Sequence, residues 1–467
     1  MTQLTRRAWL ERAVAGAAAL TLAPPGGAGA EAPVRRPPNI VFILADDLGY
    51  GDLGCYGQAR IRTPRIDAMA AEGMRFTGAY AGSTVCAPSR CALMTGLHTG
   101  HCTVRGNKLV PLLPEDVTVA EVLRGAGYAT ALIGKWGLGE PDTTGLPNRQ
   151  GFDYFFGYLN QGHAHNSYPD YLWRNEERVA FEENVQSEKR GVAARCNRYS
   201  NDLFTEEALQ FIDRQQNQPF FLYLACTIPH ANNERGNAEG NGMEVPSDAP
   251  YGEQPWPQPQ KNHAAMITRL DGDVGRVLDR LRDRGLADNT IVFFSSDNGP
   301  HKEGGADPAF FKSSGPLRGI KRDLYDGGIR VPLVAWAPGR IAAGATSDHV
   351  CAFWDFLPTA AELAGAEPPP NLDGVSFAPA LLGEEGRQIG HEFLYWEFHE
   401  GGFKQAVRIG TYKAVRPGTE TPIEVYDLEA DPGERQDIAS AHLDLVARAA
   451  RLFRVQRTES PHWPLPR

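Results

Sequence analysis

Two pairs of oxygen donors and one cysteine carry the chemistry that can be read first. Asp46-Asp47 and Asp297-Asn298 each follow a short apolar run. Adjacent carboxylates repel and call for a cation or a shared proton. Four oxygen donors without Cys or His suit a hard ion, Ca²⁺ or Mg²⁺, rather than Zn²⁺. Taken singly, either pair also fits a helix cap or turn, and Asp297-Asn298-Gly299 fits a hairpin turn. The cysteine heads the segment Cys86-Ala87-Pro88-Ser89-Arg90. Pro88 suits the first turn of a helix, and the chain from Ser89 to Gly96 is helix-compatible. Residue 86 is therefore expected at a helix N-terminus, where free backbone N–H groups favour an anion. Arg90, one turn on, can pair with the same anion. The plainer reading is a buried or disulfide-bonded thiol before a Pro-initiated helix.

Residues so far apart must be gathered by the fold. Apolar runs at 39–44, 129–133, 220–224 and 290–294 end in Asp46-Asp47, Lys135, His230 and Asp297-Asn298. Continuous apolar runs without alternation mark strands buried on both faces. Helical patterns lie between them, at 118–125, 202–215 and 264–284. This alternation predicts an α/β domain with a mainly parallel central sheet. In such sheets a site forms beyond the carboxyl ends of the strands, where the polar residues stand here. After about residue 385 the texture changes to short strands at 392–398, 405–409, 411–416 and 423–427, then a helix near 441–455. That predicts a small antiparallel sheet with one helix. Residues 232–260, rich in Gly, Pro and Asn, read as a long surface loop near His230.

The chain has 467 residues, 42% hydrophobic and 22% charged, enough for one large domain and a smaller one. A net charge of −10 argues against a nucleic-acid partner and requires local positive charge to capture any anionic substrate. Thr5-Arg6-Arg7-Ala8-Trp9-Leu10, the apolar run 13–23 and Ala28-Gly29-Ala30 form a twin-arginine export signal over residues 1–30. We expect a periplasmic or secreted protein exported folded, and no stretch reaches the length of a transmembrane span. Seven cysteines are too few for a disulfide scaffold, with Cys91 and Cys102 a candidate pair by proximity.

Cys86-Ala87-Pro88-Ser89-Arg90, with Leu93, Thr95 and Gly96, resembles the signature of the formylglycine-dependent, arylsulfatase A-like sulfatases. Gly127-Tyr128-Ala129-Thr130-Ala131-Leu132-Ile133-Gly134-Lys135-Trp136 matches their second signature, except that Gly137 stands where the family commonly has His. The motifs 317–321 and 326–332 resemble a later family segment. The resemblance runs from Pro38-Asn39-Ile40 to Asp431-Pro432. It implies an alkaline-phosphatase-like α/β fold, mainly parallel and sandwiched by helices, in a catalytic domain over 31–385 with a smaller α+β domain over 386–467.

It further implies that a maturation enzyme converts Cys86 to formylglycine and that Asp46, Asp47, Asp297 and Asn298 ligate the metal. Lys135, His230 and Lys321 would face the sulfate, with His301 a further contact and Arg90 holding the aldehyde hydrate. With Asp297 as base, a hydrate oxygen would attack sulfur in line, and His230 or Lys321 would protonate the departing alcohol. The second hydroxyl then loses its proton, sulfate leaves and the aldehyde returns. A plain Ser or Cys lacks that hydroxyl and would stay sulfated. The absent His assists sulfate expulsion in the family, and His165 is the candidate to fill the space at Gly137. His98, His101, Arg105 and Asn107 are candidates for shaping the pocket. Export suggests a sulfated carbohydrate as substrate. The rivals are a phosphonate monoester or phosphodiester hydrolase of the same superfamily and a non-catalytic sulfated-glycan binder.

Overall fold

The computed structural model describes residues 36–215 and 218–465, so the export signal expected at 1–30 lies outside the described residues. The four apolar runs become adjacent parallel strands. Thr290–Ser296, Asn39–Ala45, Phe220–Ala225 and Ala129–Lys135 lie side by side, followed by Tyr154–Tyr158, also parallel. Every residue of Asn39–Ala45 is buried. Val41, Ile43 and Ala45 enter the core on one face, and Ile40, Phe42 and Leu44 enter the core on the other. Two-sided burial explains why no polar alternation marked these strands.

The full sheet has ten strands, and its flanks are mixed. On one side Leu333–Trp336 runs antiparallel to Thr290–Ser296, followed by Met74–Phe76 and Ala345–Ser347. On the other, Tyr171–Arg174 and Glu177–Ala180 form an antiparallel margin. Helices Ser200–Arg214 and Gln258–Asp283 match the sequence patterns. The helix Val119–Gly125 opens with a capping box, in which Thr118 accepts from the Glu121 N–H and Glu121 accepts from the Thr118 N–H. Residues 232–260 are not simply a surface loop. They contain the helix Asn233–Glu239 and the start of Gln258–Asp283, and bury Met243 and Tyr251.

The C-terminal strands Leu394–Phe398, Lys404–Ile409, Tyr412–Arg416 and Glu424–Asp427 form an antiparallel sheet. Its two faces divide by period two. Leu394, Trp396 and Phe398 pack on Val85, Ala92 and Leu324, beside the Cys86 helix and Lys321. Tyr395 and Val407 are covered by Ala449 and Phe453 of the helix Leu443–Val455. Lys413 crosses the junction, fully buried, to Asp326 at 2.7 Å and Glu434 at 3.0 Å. Among the described residues no helix is long and apolar enough to cross a membrane.

Candidate active site

The parallel strands are in register to their last residues: Ala45 stands beside Ser296, Leu44 beside Ala225, and Ala225 beside Gly134. The residues that follow therefore emerge together at one sheet edge. Asp46-Asp47, Asp297-Asn298, Lys135 and His230 are brought there by separate strands. Successive strand side chains normally point to opposite faces. Asp47 breaks that alternation with a φ of 67°, which lets both carboxylates serve one site. Gly299 allows the segment after Lys321 to close in, since a Cβ there would lie 1.9 Å from the Gly327 carbonyl oxygen.

Cys86 begins the buried helix Cys86–Thr95, as expected. Its thiol donates to Asp46 Oδ1 at 3.3 Å. Lys135 Nζ donates to Asp46 Oδ2 at 2.7 Å. Arg90 clasps Asp297 through Nε at 3.1 Å and Nη2 at 2.8 Å, and gives Nη1 to the Lys135 carbonyl at 2.7 Å. Asp297 Oδ1 accepts the Asp47 N–H at 3.1 Å. Lys321 Nζ donates to Asp47 Oδ2 at 2.8 Å and lies 3.2 Å from His230 Nε2. His230 gives its Nδ1 proton to the Ala231 carbonyl at 2.7 Å, leaving Nε2 as an acceptor.

Burial sets the electrostatics. It pushes the Cys86 thiol well up, helped by Asp46, so an unmodified cysteine here stays a neutral, weak nucleophile. Burial and then the Asp46 carboxylate push Asp297 up to about 7 despite Arg90. Burial opposes ionisation of Asp46 too, but the Lys135 and Arg90 cations outweigh it and hold Asp46 well below the carboxylate range. Burial and Lys321 drive His230 well down, so its ring is neutral.

The oxygens offered by Asp46, Asp47 and Asn298 fit a hard divalent cation. Those of Asp46 and Asp47 lie within 4.8 Å of each other, in a cluster that also holds Cys86 and His230. Asn298 spends Nδ2 on Asp47 Oδ1 at 2.7 Å and the Gly299 carbonyl at 2.9 Å, while its buried Oδ1 has no hydrogen-bond partner. A buried carbonyl oxygen left open beside carboxylates is what a cation would satisfy. An oxygen-bearing group at residue 86 fits as well, facing Asp46 at a helix N-terminus. Asp46, not Asp297, is the carboxylate hydrogen-bonded to that residue.

Other expectations need correction. The space beside Gly137 is taken by Gln161, whose Nε2 lies 2.1 Å from where a Cβ would be. His165 instead stacks on His230, ring centroids 5.0 Å apart. His301 has both nitrogens engaged, with the Pro229 carbonyl and the Glu303 N–H, and so stands behind His230 rather than open to a ligand. His101 pairs with Asp373, Arg105 with Glu397, and Asn107 accepts the Ala87 N–H at the start of the Cys86 helix. Cys91 and Cys102 are free thiols. Sequence reasoning missed Glu303, which meets Lys321 Nζ at 3.2 Å and Arg322. It also missed Gln161 and Glu234. Their only prior signal was position in loops after strand ends.

A mostly parallel sheet with carboxylates, lysines and a cysteine-headed helix at one edge defines an alkaline-phosphatase-like hydrolase. The sulfatase family model matches residues 38–366. A second model, described as N-sulphoglucosamine sulphohydrolase, C-terminal, matches 320–451. Human arylsulfatase A is 36% identical over 87% of this chain and 84% of its own length. The pig N-acetylgalactosamine-6-sulfatase is 35% identical over 81% and 72%. The crystal structure of Ps i-CgsB, also solved in complex with k-i-k-neocarrahexaose, has a TM-score of 0.78 at 28% identity, covering 92% of this chain and 95% of that one. The chain belongs to the sulfatase family, enzymes that hydrolyse sulfuric esters.

Proposed function

We propose that this enzyme removes sulfate from a sulfated carbohydrate, using formylglycine made from Cys86 and a hard divalent cation, Ca²⁺ or Mg²⁺, at Asp46, Asp47, Asp297 and Asn298. The observation that carries it is the buried Cys86 thiol 3.3 Å from Asp46, beside Lys135. The carbohydrate is supported by the N-acetylgalactosamine-6-sulfatase relative and by the oligosaccharide complex of Ps i-CgsB. The twin-arginine pattern supports export to the periplasm or beyond, after maturation.

Lys135, Lys321 and Arg90 neutralise the sulfate oxygens, which otherwise repel a nucleophile. The hydrated aldehyde at residue 86 supplies the attacking oxygen and a second hydroxyl for sulfate release. A cation held by Asp46, Asp47, Asp297 and Asn298 would polarise the ester and acidify that hydrate. Asp46 or Asp297 takes the proton from the nucleophile. His230 and Lys321, 3.2 Å apart, share the proton that the departing alcohol needs. His165, which stacks on His230 while Gln161 holds the space at Gly137, is the histidine assigned to the release of sulfate.

The test combines mass spectrometry of the Cys86 peptide, from a host with the maturation enzyme, with rates on matched aryl sulfate and aryl phosphonate esters. Aldehyde at residue 86 and faster sulfate hydrolysis are expected. An unmodified thiol in a fully active preparation, or full turnover by Cys86→Ser, would overturn the mechanism. Faster phosphonate hydrolysis would favour the phosphonate reading.

A further inference from the structure

His165 differs from the rings around it. It lies in the turn His163–His165, after the strand Tyr154–Tyr158, and its ring is nearly parallel to His230, at 17°. Its Nδ1 meets both carboxylate oxygens of Glu234, at 3.1 and 3.2 Å. Glu234 comes from the helix Asn233–Glu239, beyond His230 in the chain. The other histidines of this stack are committed differently. His230 donates to a backbone carbonyl, and His301 has both nitrogens engaged. His263 is buried with Nδ1 unpartnered, and burial lowers it to about 3. Among the described residues of the stack His165, His230, His301 and His263, only His165 hydrogen-bonds a carboxylate. It is also partly open, with its side chain 19% exposed.

A carboxylate on Nδ1 has two effects on an imidazole. It fixes the tautomer with the proton on Nδ1, and it stabilises the cation formed when Nε2 is protonated. Arg190 is the charged group that acts on Glu234, while the ring stacked on His165 is the neutral His230.

We propose that Glu234 is a positioning residue, whose carboxylate holds the Nδ1 proton of His165 and leaves Nε2 as the nitrogen that takes up and gives back a proton in the pocket. This rests on the assignment of His165 to sulfate release. Glu234 and His165 then form an acid–base pair drawn from the helix Asn233–Glu239 and the turn His163–His165, next to the neutral His230.

The experiment compares Glu234→Gln, Glu234→Asp and His165→Ala in matured enzyme, measuring kcat and KM for an aryl sulfate. Glu234→Gln should lower kcat about tenfold or more and leave KM within about twofold. Glu234→Asp should restore most of that kcat, and His165→Ala should lower kcat at least as far as Glu234→Gln. An unchanged kcat in Glu234→Gln, with His165→Ala impaired, overturns the role of Glu234 alone. A normal His165→Ala overturns the His165 assignment itself. Should Glu234→Gln fail to fold, nitrogen-15 NMR of the unmodified full-length protein decides. A proton on Nδ1 of His165 is expected, and one on Nε2 overturns the proposal.

Discussion

Asn298 shows how one side chain can report a missing partner. Its amide nitrogen is doubly used and its buried oxygen is not used at all. An unmade hydrogen bond at a buried acceptor costs about 1–3 kcal/mol, which a cation would return. Asn298→Ala should therefore raise the concentration of divalent cation needed for half-maximal activity about tenfold or more. Asn298→Asp, which keeps an oxygen there, should be milder. An unchanged cation requirement in Asn298→Ala would remove this residue from the metal site. Residue type and the family resemblance together put Asn298 in the expected ligand set, whereas Gln161 over Gly137 and Glu234 on His165 arise from long-range packing that no local pattern encodes.

At the scale of elements, the strands legible in the chain were those buried on both faces, such as Asn39–Ala45 and Phe220–Ala225. Met74–Phe76 was not, because three residues carry too little periodicity to stand out. The strands of the small C-terminal sheet were legible by texture, but not what fastens them. There Glu397 of the strand Leu394–Phe398 bridges to Arg105 at 3.0 Å and Arg457 at 3.1 Å, with His399 at 2.9 Å. Burial pushes the Glu397 carboxyl up, but His399, Arg105 and Arg457 outweigh it and bring it down to about 2. A depressed carboxylate stabilises the fold above its unfolded pKa, near 4.5, and loses that contribution as pH falls toward 2. The contribution at neutral pH is about 3 kcal/mol. The stability gap between wild type and Glu397→Gln, measured by denaturant unfolding, should narrow as pH drops through this window. A gap independent of pH would show that the junction is held otherwise.

On the scale of the molecule, the site belongs to no single segment. Asp46, Cys86, Lys135, His230, Asp297 and Lys321 follow different strands or head different elements, and meet only because the central sheet is in register. The C-terminal sheet takes part indirectly, since Trp396 packs in one cluster with Val85 and Ala92, either side of the Cys86 turn. Whatever loosens that sheet from the larger body also loosens the turn that carries Cys86. Because the chain as a whole carries a net charge of −10, the capture of an anion falls to local charges.

Those local charges have an arithmetic of their own. Asp46, Asp47, Asp297 and Glu303 face Arg90, Lys135, Lys321 and Arg322, four negative against four positive. A divalent cation would leave a surplus of two positive charges in a buried, weakly screened space. The ester consumed carries one negative charge at its head, while the sulfate produced carries two and cancels the surplus. Such a pocket grips what it makes harder than what it cuts, and the sugar's remaining contacts must make good the difference. Free sulfate should therefore compete more strongly than the monoanion methyl sulfate in inhibition assays, and the reverse order would break the count. If the order holds, the enzyme's pace in a sulfate-rich medium is set less by cutting than by letting go.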